Sequence, residues 1–259
     1  MRRLLFPGSL TIGFLVIAPA LWEVGAVRAE NVSTPARAAD RPAPVSDRSW
    51  LQSFAAQQRV LTNRHCPVVF IGDSLTEFWT STGAEAWAAR MVPLQAADVG
   101  LAGDRTENVL WRIRHLDFHR AQPRVFVLLM GTNNLGMAPP DAPEAVVRGI
   151  ELAVGDLVRR FPVARVLVLG LPPSGFEPKS ALRQRILATN ALLAKVAWPR
   201  AVTLVELYPH FVTEEDRWKA GQTLDGTHFS AAGYQTLGEV LAEPLRLAVE
   251  GTVDGVRKE

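Results

Sequence analysis

Cysteine is almost absent from this chain of 259 residues, and the single one, Cys66, excludes an intramolecular disulfide. Stability must therefore come from a packed core, which a chain with 48% hydrophobic residues is long enough to build within one α/β domain. Cys66 stands directly before an apolar run, which predicts a buried or half-buried structural thiol and not a nucleophile.

A large excess of charge of either sign is also missing. The formal net charge is only +2, and the first 29 residues carry all of it, because Arg2, Arg3 and Arg28 outnumber Glu23. The remaining chain is neutral, so its charge gives no reason to expect binding to nucleic acid. We expect no nucleic-acid partner.

Motifs for metals and nucleotide cofactors are missing as well. The sequence contains no HExxH zinc motif, no Walker phosphate loop and no dinucleotide fingerprint. It also has no internal repeat that would indicate an array of small units. We therefore expect neither a metal nor a cofactor.

The N-terminus has the features of a secretory signal peptide over residues 1–29. Arg2 and Arg3 precede an uncharged stretch from Leu4 to Trp22, and positions 27 and 29 fit a cleavage site. We predict cleavage after Ala29 and export to the periplasm or the medium. The alternative is an uncleaved anchor, because the stretch is just long enough to span a bilayer, and the protein would then meet the membrane only there.

Composition predicts the rest of the domain organisation. Residues 30–49 are rich in Ala, Pro, Arg and Asp without apolar periodicity, as in a flexible linker. We expect one domain over 50–250, with folding beginning near Trp50, and a C-terminal tail over 251–259.

Beyond the linker, short β-branched runs alternate with longer helical patterns, which indicates parallel strands joined by crossover helices. The predicted strands are 68–71, 94–99, 125–130, 166–169 and 202–205, and the predicted helices are 106–115, 141–161, 181–196 and 231–249. Asp141 with Glu144 three residues later suggests a capping box at the second helix. The predicted fold class is α/β, a three-layer α/β/α sandwich with a mainly parallel five-stranded sheet.

Polar loops rich in glycine stand where the strands end, and chemistry in such sheets collects at the carboxyl ends of the strands. Ser74 follows the first strand, where a strand-to-helix turn would expose its hydroxyl. A serine after Gly-Asp could equally be a helix N-cap, so the catalytic interpretation needs a base.

His228 is the histidine best placed to be that base. It stands three residues after Asp225 in a glycine-containing loop before the last helix. A carboxylate bonded to one ring nitrogen would orient the imidazole while the other nitrogen takes the serine proton. The remaining histidines lack this arrangement and are interpreted as structural or surface residues: His65, His115, His119 and His210.

Acyl transfer also requires donors to the oxyanion, and Gly103 and Asn133 lie in the loops after the second and third strands. A glycine N–H can approach a substrate closely, and an asparagine amide donates without adding charge. The alternatives are that Gly103 only makes a turn and that Asn133 only braces a loop.

Together these residues resemble the four sequence blocks of the SGNH (GDSL-like) hydrolases, which contribute Ser, Gly, Asn and His in that order. The blocks are Gly72-Asp73-Ser74-Leu75, Gly103, Gly131-Thr132-Asn133-Asn134, and Asp225 with His228. The stretch from Gly100 to Ile113 is similar to the branch that contains the catalytic subunits of platelet-activating factor acetylhydrolase type Ib.

The resemblance covers about 68–247 and implies a flavodoxin-like fold with a Ser74, Asp225 and His228 triad. It further implies an oxyanion hole formed by the backbone amides of Ser74 and Gly103 and the side chain of Asn133. One departure is Pro173-Ser174, where relatives often have an arginine after Leu-Pro, and this leaves the acyl pocket and the substrate open.

The function expected from the resemblance is that of an exported serine esterase that needs no metal and hydrolyses short-chain, acetyl-type O-esters on carbohydrate. The alternatives are a lysophospholipase or short-chain lipid esterase, an O-acetyltransferase that uses the same acyl-serine, and an inactive carbohydrate-binding scaffold. The oligomeric state is left open.

Overall fold

The computed structural model of the protein describes residues 38–256, with side chains as far as Gly251. The predicted signal peptide, residues 30–37 of the predicted linker and the last three residues of the tail lie outside the described residues. The strands are β1 Val68–Gly72, β2 Ala97–Gly100, β3 Val125–Leu129, β4 Arg165–Leu169 and β5 Val202–Val205. The α-helices of this part of the chain are α1 Arg48–Asn63, α2 Ser74–Glu77, α3 Ala84–Arg90, α4 Thr106–His115, α5 Thr132–Gly136, α6 Pro143–Arg160, α7 Ala181–Leu193, α8 Tyr208–Phe211 and α9 Ala231–Val256.

The strands form one parallel sheet in the order β2-β1-β3-β4-β5. Since crossover connections are right-handed, the reversal after β2 places α4, α6 and α7 on one face and α3 and α9 on the other. The predicted α/β sandwich with a five-stranded sheet is confirmed. The reversal also makes a topological switch point between β1 and β3. The connections that follow these two strands leave toward opposite faces of the sheet, and ligands bind in the crevice between them in such folds.

The core is built from the fully buried strands β1 and β3 and the apolar stripe of α6, which includes Val146, Ile150 and Leu157. Cys66 lies in this core and is fully buried, as its apolar neighbours predict. Burial raises the pKa of its thiol, although the charge of Arg64 opposes the shift. The thiol is therefore held neutral, which suits a packing role.

Several element boundaries differ from those expected. The predicted second strand starts three residues later, because Pro93 and the left-handed Gln95 form a 3₁₀ turn before it. The predicted capping box of α6 is absent: Ala142 is the N-cap, without a side-chain hydrogen bond, and Pro143 is the first helical residue. The carboxylate of Asp141 instead accepts hydrogen bonds from Arg105 and from the side-chain amide of Asn134.

The helices near the C-terminus also differ in length. Helix α7 ends at Leu193 instead of residue 196. Helix α9 continues to Val256 through Pro244, so the first residues of the predicted tail at 251–259 are helical.

The described part of the predicted linker is residues 38–49, of which Arg48 and Ser49 begin α1 and residues 38–47 include contacts with the domain. Ala39 is fully buried and its carbonyl accepts a hydrogen bond of 2.7 Å from the Thr106 hydroxyl. The backbone of Ala43 pairs with the Glu107 carbonyl and the Asn108 side chain. Ala39 and Ala43 make these hydrogen bonds through main-chain atoms, which every residue type has, so the sequence contains no pattern that predicts them. The flexible-linker prediction is wrong for these residues.

A buried arginine joins β1, which borders the switch point, to the neighbouring strand β2. Arg112 of α4 is fully buried and donates to Asp104 at 2.6 Å, to the carbonyls of Gly72 and Val99, each at 2.6 Å, and to the Gln57 side chain at 3.0 Å. Its guanidinium therefore links α1, the ends of β1 and β2, and the loop before α4.

Within residues 38–256, no helix has both the length and the apolar character that crossing a membrane requires.

Replacing Arg112 with methionine should destabilise the fold, because it leaves the Asp104 carboxylate buried without its cation. We expect a loss of about 3–5 kcal/mol in the free energy of unfolding, measured by denaturant titration. Arg159→Met is the matched control, since Arg159 also pairs with an aspartate, Asp156, but is exposed. Equal losses for the two variants would contradict the structural role given to Arg112.

Candidate active site

Ser74 lies where β1 passes into α2, at the carboxyl edge of the sheet. The preceding Gly72 has no room for a side chain, since a Cβ atom would lie 2.1 Å from the Leu129 carbonyl oxygen of the neighbouring strand. Asp73 is the N-cap of α2 and accepts a hydrogen bond of 2.9 Å from the Leu75 N–H. Ser74 is therefore not the cap, and its hydroxyl is available for another partner.

That partner is His228. The Ser74 Oγ and the His228 Nε2 lie 3.0 Å apart, although 154 positions separate the residues in sequence. The His228 Nδ1 lies 2.7 Å from the Asp225 Oδ2. The structure thus brings together the nucleophile, base and orienting carboxylate that the sequence predicts, in the arrangement of a serine, imidazole and carboxylate triad.

Asp225 is fixed by the backbone of its own loop. Its Oδ1 accepts hydrogen bonds from the N–H groups of Thr227 at 2.9 Å and His228 at 2.8 Å. Burial alone would raise the pKa of Asp225, but the hydrogen bonds from the His228 side chain and from these two backbone groups outweigh it and lower the pKa to about 2. The carboxylate therefore stays ionised at neutral pH, as an orienting group for an imidazolium requires.

The other four histidines are exposed, in agreement with their interpretation as structural or surface residues. His115, for example, stacks on Trp111 with ring centroids 3.9 Å apart. The triad histidine has one aromatic neighbour, Phe78, whose ring centroid lies 5.1 Å from that of the imidazole.

Gly103 lies in the tight loop that follows β2. Its φ of +80° favours glycine, while an added Cβ atom would meet nothing within 4 Å, so the space in front of it is open. The neighbouring Ala102 N–H donates to the Glu77 carboxylate at 2.6 Å and the Asp104 N–H donates to the Leu101 carbonyl. Among the described residues, no acceptor is in hydrogen-bonding range of the Gly103 N–H, which suits an oxyanion donor.

Asn133 is partly exposed at the start of α5, after β3. One hydrogen of its side-chain amide is bonded to the Asp104 carbonyl oxygen at 2.8 Å, which leaves the other for a substrate. The adjacent Asn134 is different, because it is buried and bonded to the Thr106 N–H and to the carboxylates of Glu107 and Asp141. Asn134 is therefore committed to bracing the loops, whereas Asn133 makes one bracing bond, to Asp104, and keeps one amide hydrogen for an oxyanion.

The sequence did not reveal that two acidic residues, Asp73 and Asp98, are buried near the carboxyl ends of β1 and β2. Burial raises the pKa of Asp73 and of Asp98 to about 7. The Oδ2 atoms of both have no hydrogen-bond partner among the described residues. The Gly-Asp-Ser pattern signals the position of Asp73, but local sequence carries no signal for how deeply either carboxyl is buried.

In the described part of the chain, no group of three or more His, Cys, Asp or Glu side chains is arranged to hold a metal ion. The chemistry that the arrangement supports is acyl transfer through a nucleophilic hydroxyl, a general base and nearby N–H donors. This combination at the carboxyl edge of an α/β sheet defines the site as that of a serine hydrolase.

Comparisons with known proteins place the chain in a family of that class. A model of the GDSL-like lipase/acylhydrolase family matches residues 70–236. The alpha2 subunit of platelet-activating factor acetylhydrolase IB from Rattus norvegicus is 33% identical over 187 residues, which cover 71% of this chain and 78% of the rat protein. The chain therefore belongs to the GDSL-like lipase/acylhydrolase family and is an ester-hydrolysing enzyme, which confirms the resemblance found in its sequence blocks.

Solved structures share the fold. A GDSL-like lipase from Bacteroides thetaiotaomicron superposes with a TM-score of 0.62 at 21% identity, over 77% of this chain and 97% of that chain. The acetyl xylan esterase AlAXEase superposes with a TM-score of 0.57 at 16% identity, over 69% of this chain and 98% of that chain. At these identities, the two structures show a common fold and no more.

The different contacts of Asn133 and Asn134 predict that replacing Asn133 lowers catalysis, whereas replacing Asn134 lowers stability. Asn133→Ala should lower kcat for ester hydrolysis by about 10²-fold, with a smaller change in KM and a nearly unchanged melting temperature, because a donor to the transition state is lost. Asn134→Ala should instead lower the free energy of unfolding by about 1–3 kcal/mol, because buried partners lose their hydrogen bonds. Steady-state kinetics and thermal unfolding of both variants test this, and an Asn133→Ala enzyme with normal kcat would remove Asn133 from the oxyanion hole.

Proposed function

We propose that this enzyme removes acetyl groups from carbohydrate esters through an acyl-serine intermediate on Ser74. The observation that carries the proposal is the hydrogen-bonded chain from Ser74 through His228 to Asp225, with Gly103 and Asn133 in the adjoining loops. Each member has one role in the reaction.

In the first half-reaction, the Ser74 Oγ attacks the ester carbonyl carbon while the His228 Nε2 takes its proton. The backbone N–H groups of Ser74 and Gly103 and the side-chain amide of Asn133 donate to the oxyanion of the tetrahedral intermediate. The carbon–oxygen bond to the alcohol then breaks, and His228 returns the proton to the leaving oxygen.

In the second half-reaction, a water molecule gives a proton to His228 as its oxygen attacks the acyl-serine. Collapse of the second tetrahedral intermediate releases acetate, and the proton returns to the Ser74 Oγ. Asp225 stabilises the imidazolium in both halves without being protonated, in agreement with the low pKa of its carboxyl.

Two observations support a small acyl group. A curated relative at 33% identity is named an acetylhydrolase. The apolar cavity of about 250 Å³ between α7 and β5, with Leu187 and Leu204 in its wall, has neither Ser74 nor His228 among its lining residues. This cavity therefore does not supply the nucleophile with a groove for a long acyl chain.

Support for a carbohydrate alcohol comes from a structural neighbour and from the predicted location. One solved structure with this fold is an acetyl xylan esterase. An enzyme exported by the predicted signal peptide would also meet glycans outside the cytoplasm.

The proposal predicts acetate release from acetylated xylooligosaccharides and a higher kcat/KM on acetyl than on octanoyl model esters. Ser74→Ala should lower turnover by at least about 10³-fold, keep the wild-type melting temperature and lose covalent labelling by a fluorophosphonate. Wild-type turnover by the Ser74→Ala variant would contradict the mechanism. A preference for octanoyl esters would favour a lipid esterase, and acetyl transfer to added sugar in place of acetate release would favour an acetyltransferase.

Export is proposed on the sequence pattern of residues 1–29. Expression of the full chain in a bacterial host should give a protein in the periplasm or the medium whose first residue is close to Glu30. N-terminal sequencing of the recovered protein measures this, and a protein beginning at Met1 in the membrane fraction would instead support the uncleaved anchor.

A further inference from the structure

The loop that follows β4, residues 174–177, is fastened to the loop that carries Asp225 and His228. The Gly175 N–H donates to the Gly226 carbonyl at 2.6 Å. The Ser174 hydroxyl lies 2.7 Å from the Thr227 hydroxyl. The 174–177 loop therefore lies against the loop that carries the triad histidine.

A buried arginine of α7 holds the 174–177 loop in place through hydrogen bonds to its backbone. Arg183 of α7 is fully buried and donates to the Gly175 carbonyl through Nε at 3.1 Å and through Nη2 at 3.0 Å. Its Nη1 donates to the Tyr208 hydroxyl and to the Asp216 carbonyl, each at 2.9 Å. A guanidinium with this many partners in the interior leaves the loop little freedom.

At the tip of the 174–177 loop, Phe176 is 57% exposed, and it is the one exposed Phe, Tyr or Trp side chain of the described residues. Three of its ring carbons lie within 3.1–3.3 Å of the position that a Cβ atom of Gly226 would occupy. The ring therefore packs on the backbone of Gly226, two residues before His228. A fixed ring that is exposed in this way is available to a ligand, because loss of its remaining water contact is favourable.

The mechanism decides which part of the substrate Phe176 would meet. The acyl oxygen faces the donors Gly103 and Asn133, whereas the leaving alcohol receives its proton from His228. Because the Phe176 ring packs on Gly226, in the loop that carries His228, the alcohol part of the ester is the group that would reach it.

The surroundings of the ring favour a sugar over an alkyl chain. The two loops carry exposed carboxylates, at Glu177 next to Phe176 in sequence and at Asp225 next to Gly226. An alkyl chain would require continuous apolar surface, whereas a sugar ring combines an apolar C–H face, which can stack on an aromatic ring, with hydroxyl groups for polar neighbours. Leu224, also exposed, is an apolar side chain of the Asp225 loop that an alkyl chain would be expected to use as well.

We propose that Phe176 is the stacking platform for the sugar ring that carries the ester, and that it determines the preference of the enzyme for the alcohol part of its substrate. This inference rests on the proposed function and adds a binding subsite to it. Arg183 is the positioning residue, because it holds the backbone of Gly175, directly before this platform.

The test compares kcat/KM on acetylated xylooligosaccharides with kcat/KM on ethyl acetate, whose alcohol is too small to reach Phe176. In the Phe176→Ala variant the ratio of the two values should fall about 3- to 10-fold, mainly through a higher KM on the sugar ester. Phe176→Trp should keep the wild-type ratio, because it restores a flat ring. Phe176→Leu should behave as Phe176→Ala, because it restores only apolar bulk.

Leu224→Ala is the matched control for loss of an exposed apolar side chain, and it should keep the wild-type ratio. An unchanged ratio in Phe176→Ala would overturn the inference. A wild-type ratio in Phe176→Leu together with a lowered ratio in Leu224→Ala would also overturn the inference. That result would indicate an apolar surface that binds an alkyl group.

The wild-type enzyme separates this inference from the proposed function. If it hydrolyses ethyl acetate but has no preference for the sugar ester, the proposed carbohydrate substrate is wrong, and the stacking role inferred for Phe176 is wrong as well. If it prefers the sugar ester and every Phe176 variant keeps that preference, the proposed function stands and only the platform is wrong.

Discussion

The arrangement of the active site depends on the placement of one buried cation, the guanidinium of Arg112. A charge in the protein interior is unfavourable unless its N–H groups find acceptors, so the acceptors must be held in fixed positions around it. Two of them lead directly to the chemistry: the Gly72 carbonyl stands two residues before Ser74, and Asp104 follows Gly103. The carbonyl oxygen of the same Asp104 accepts the amide hydrogen of Asn133. One side chain thereby sets the nucleophile, the glycine loop and the amide donor relative to one another.

The sequence was sufficient to predict the sheet and the triad because the signals for both are local. β-branched runs of four to six residues mark buried parallel strands, and the carboxyl ends of such strands must share one edge. Asp225 and His228 stand three positions apart, so one short loop can bring the carboxylate to the imidazole. The assignment of Asn133 was harder, since Asn134 is chemically identical. Only the structure distinguishes them: Asn134 is buried and bonded to Thr106 and Asp141, whereas Asn133 is partly exposed and keeps one amide hydrogen unbonded.

Features that depend on distant partners could not be predicted. Asp141 has the sequence context of a helix cap, yet Arg105, 36 positions earlier, captures its carboxylate. Residues 38–47 bind through their backbone, which composition does not reveal. Arg183 fits the polar pattern of α7 and gives no indication that it is fully buried beneath Gly175. In each case a tertiary contact overrode a local preference, and the contact itself has no signature in a single sequence.

The separation of Ser74 from His228 along the chain has a consequence for when the enzyme becomes reactive. A serine hydroxyl is an ordinary alcohol until its base arrives, and here the base belongs to the last strand-to-helix connection, 154 positions later. An unfolded or partly synthesised chain therefore carries no activated nucleophile. The hydroxyl and its base come within hydrogen-bonding distance only when the loop before α9 is in place against the carboxyl end of β1. Because the nucleophile and its base are far apart in sequence, the nascent polypeptide contains the serine without the base that activates it.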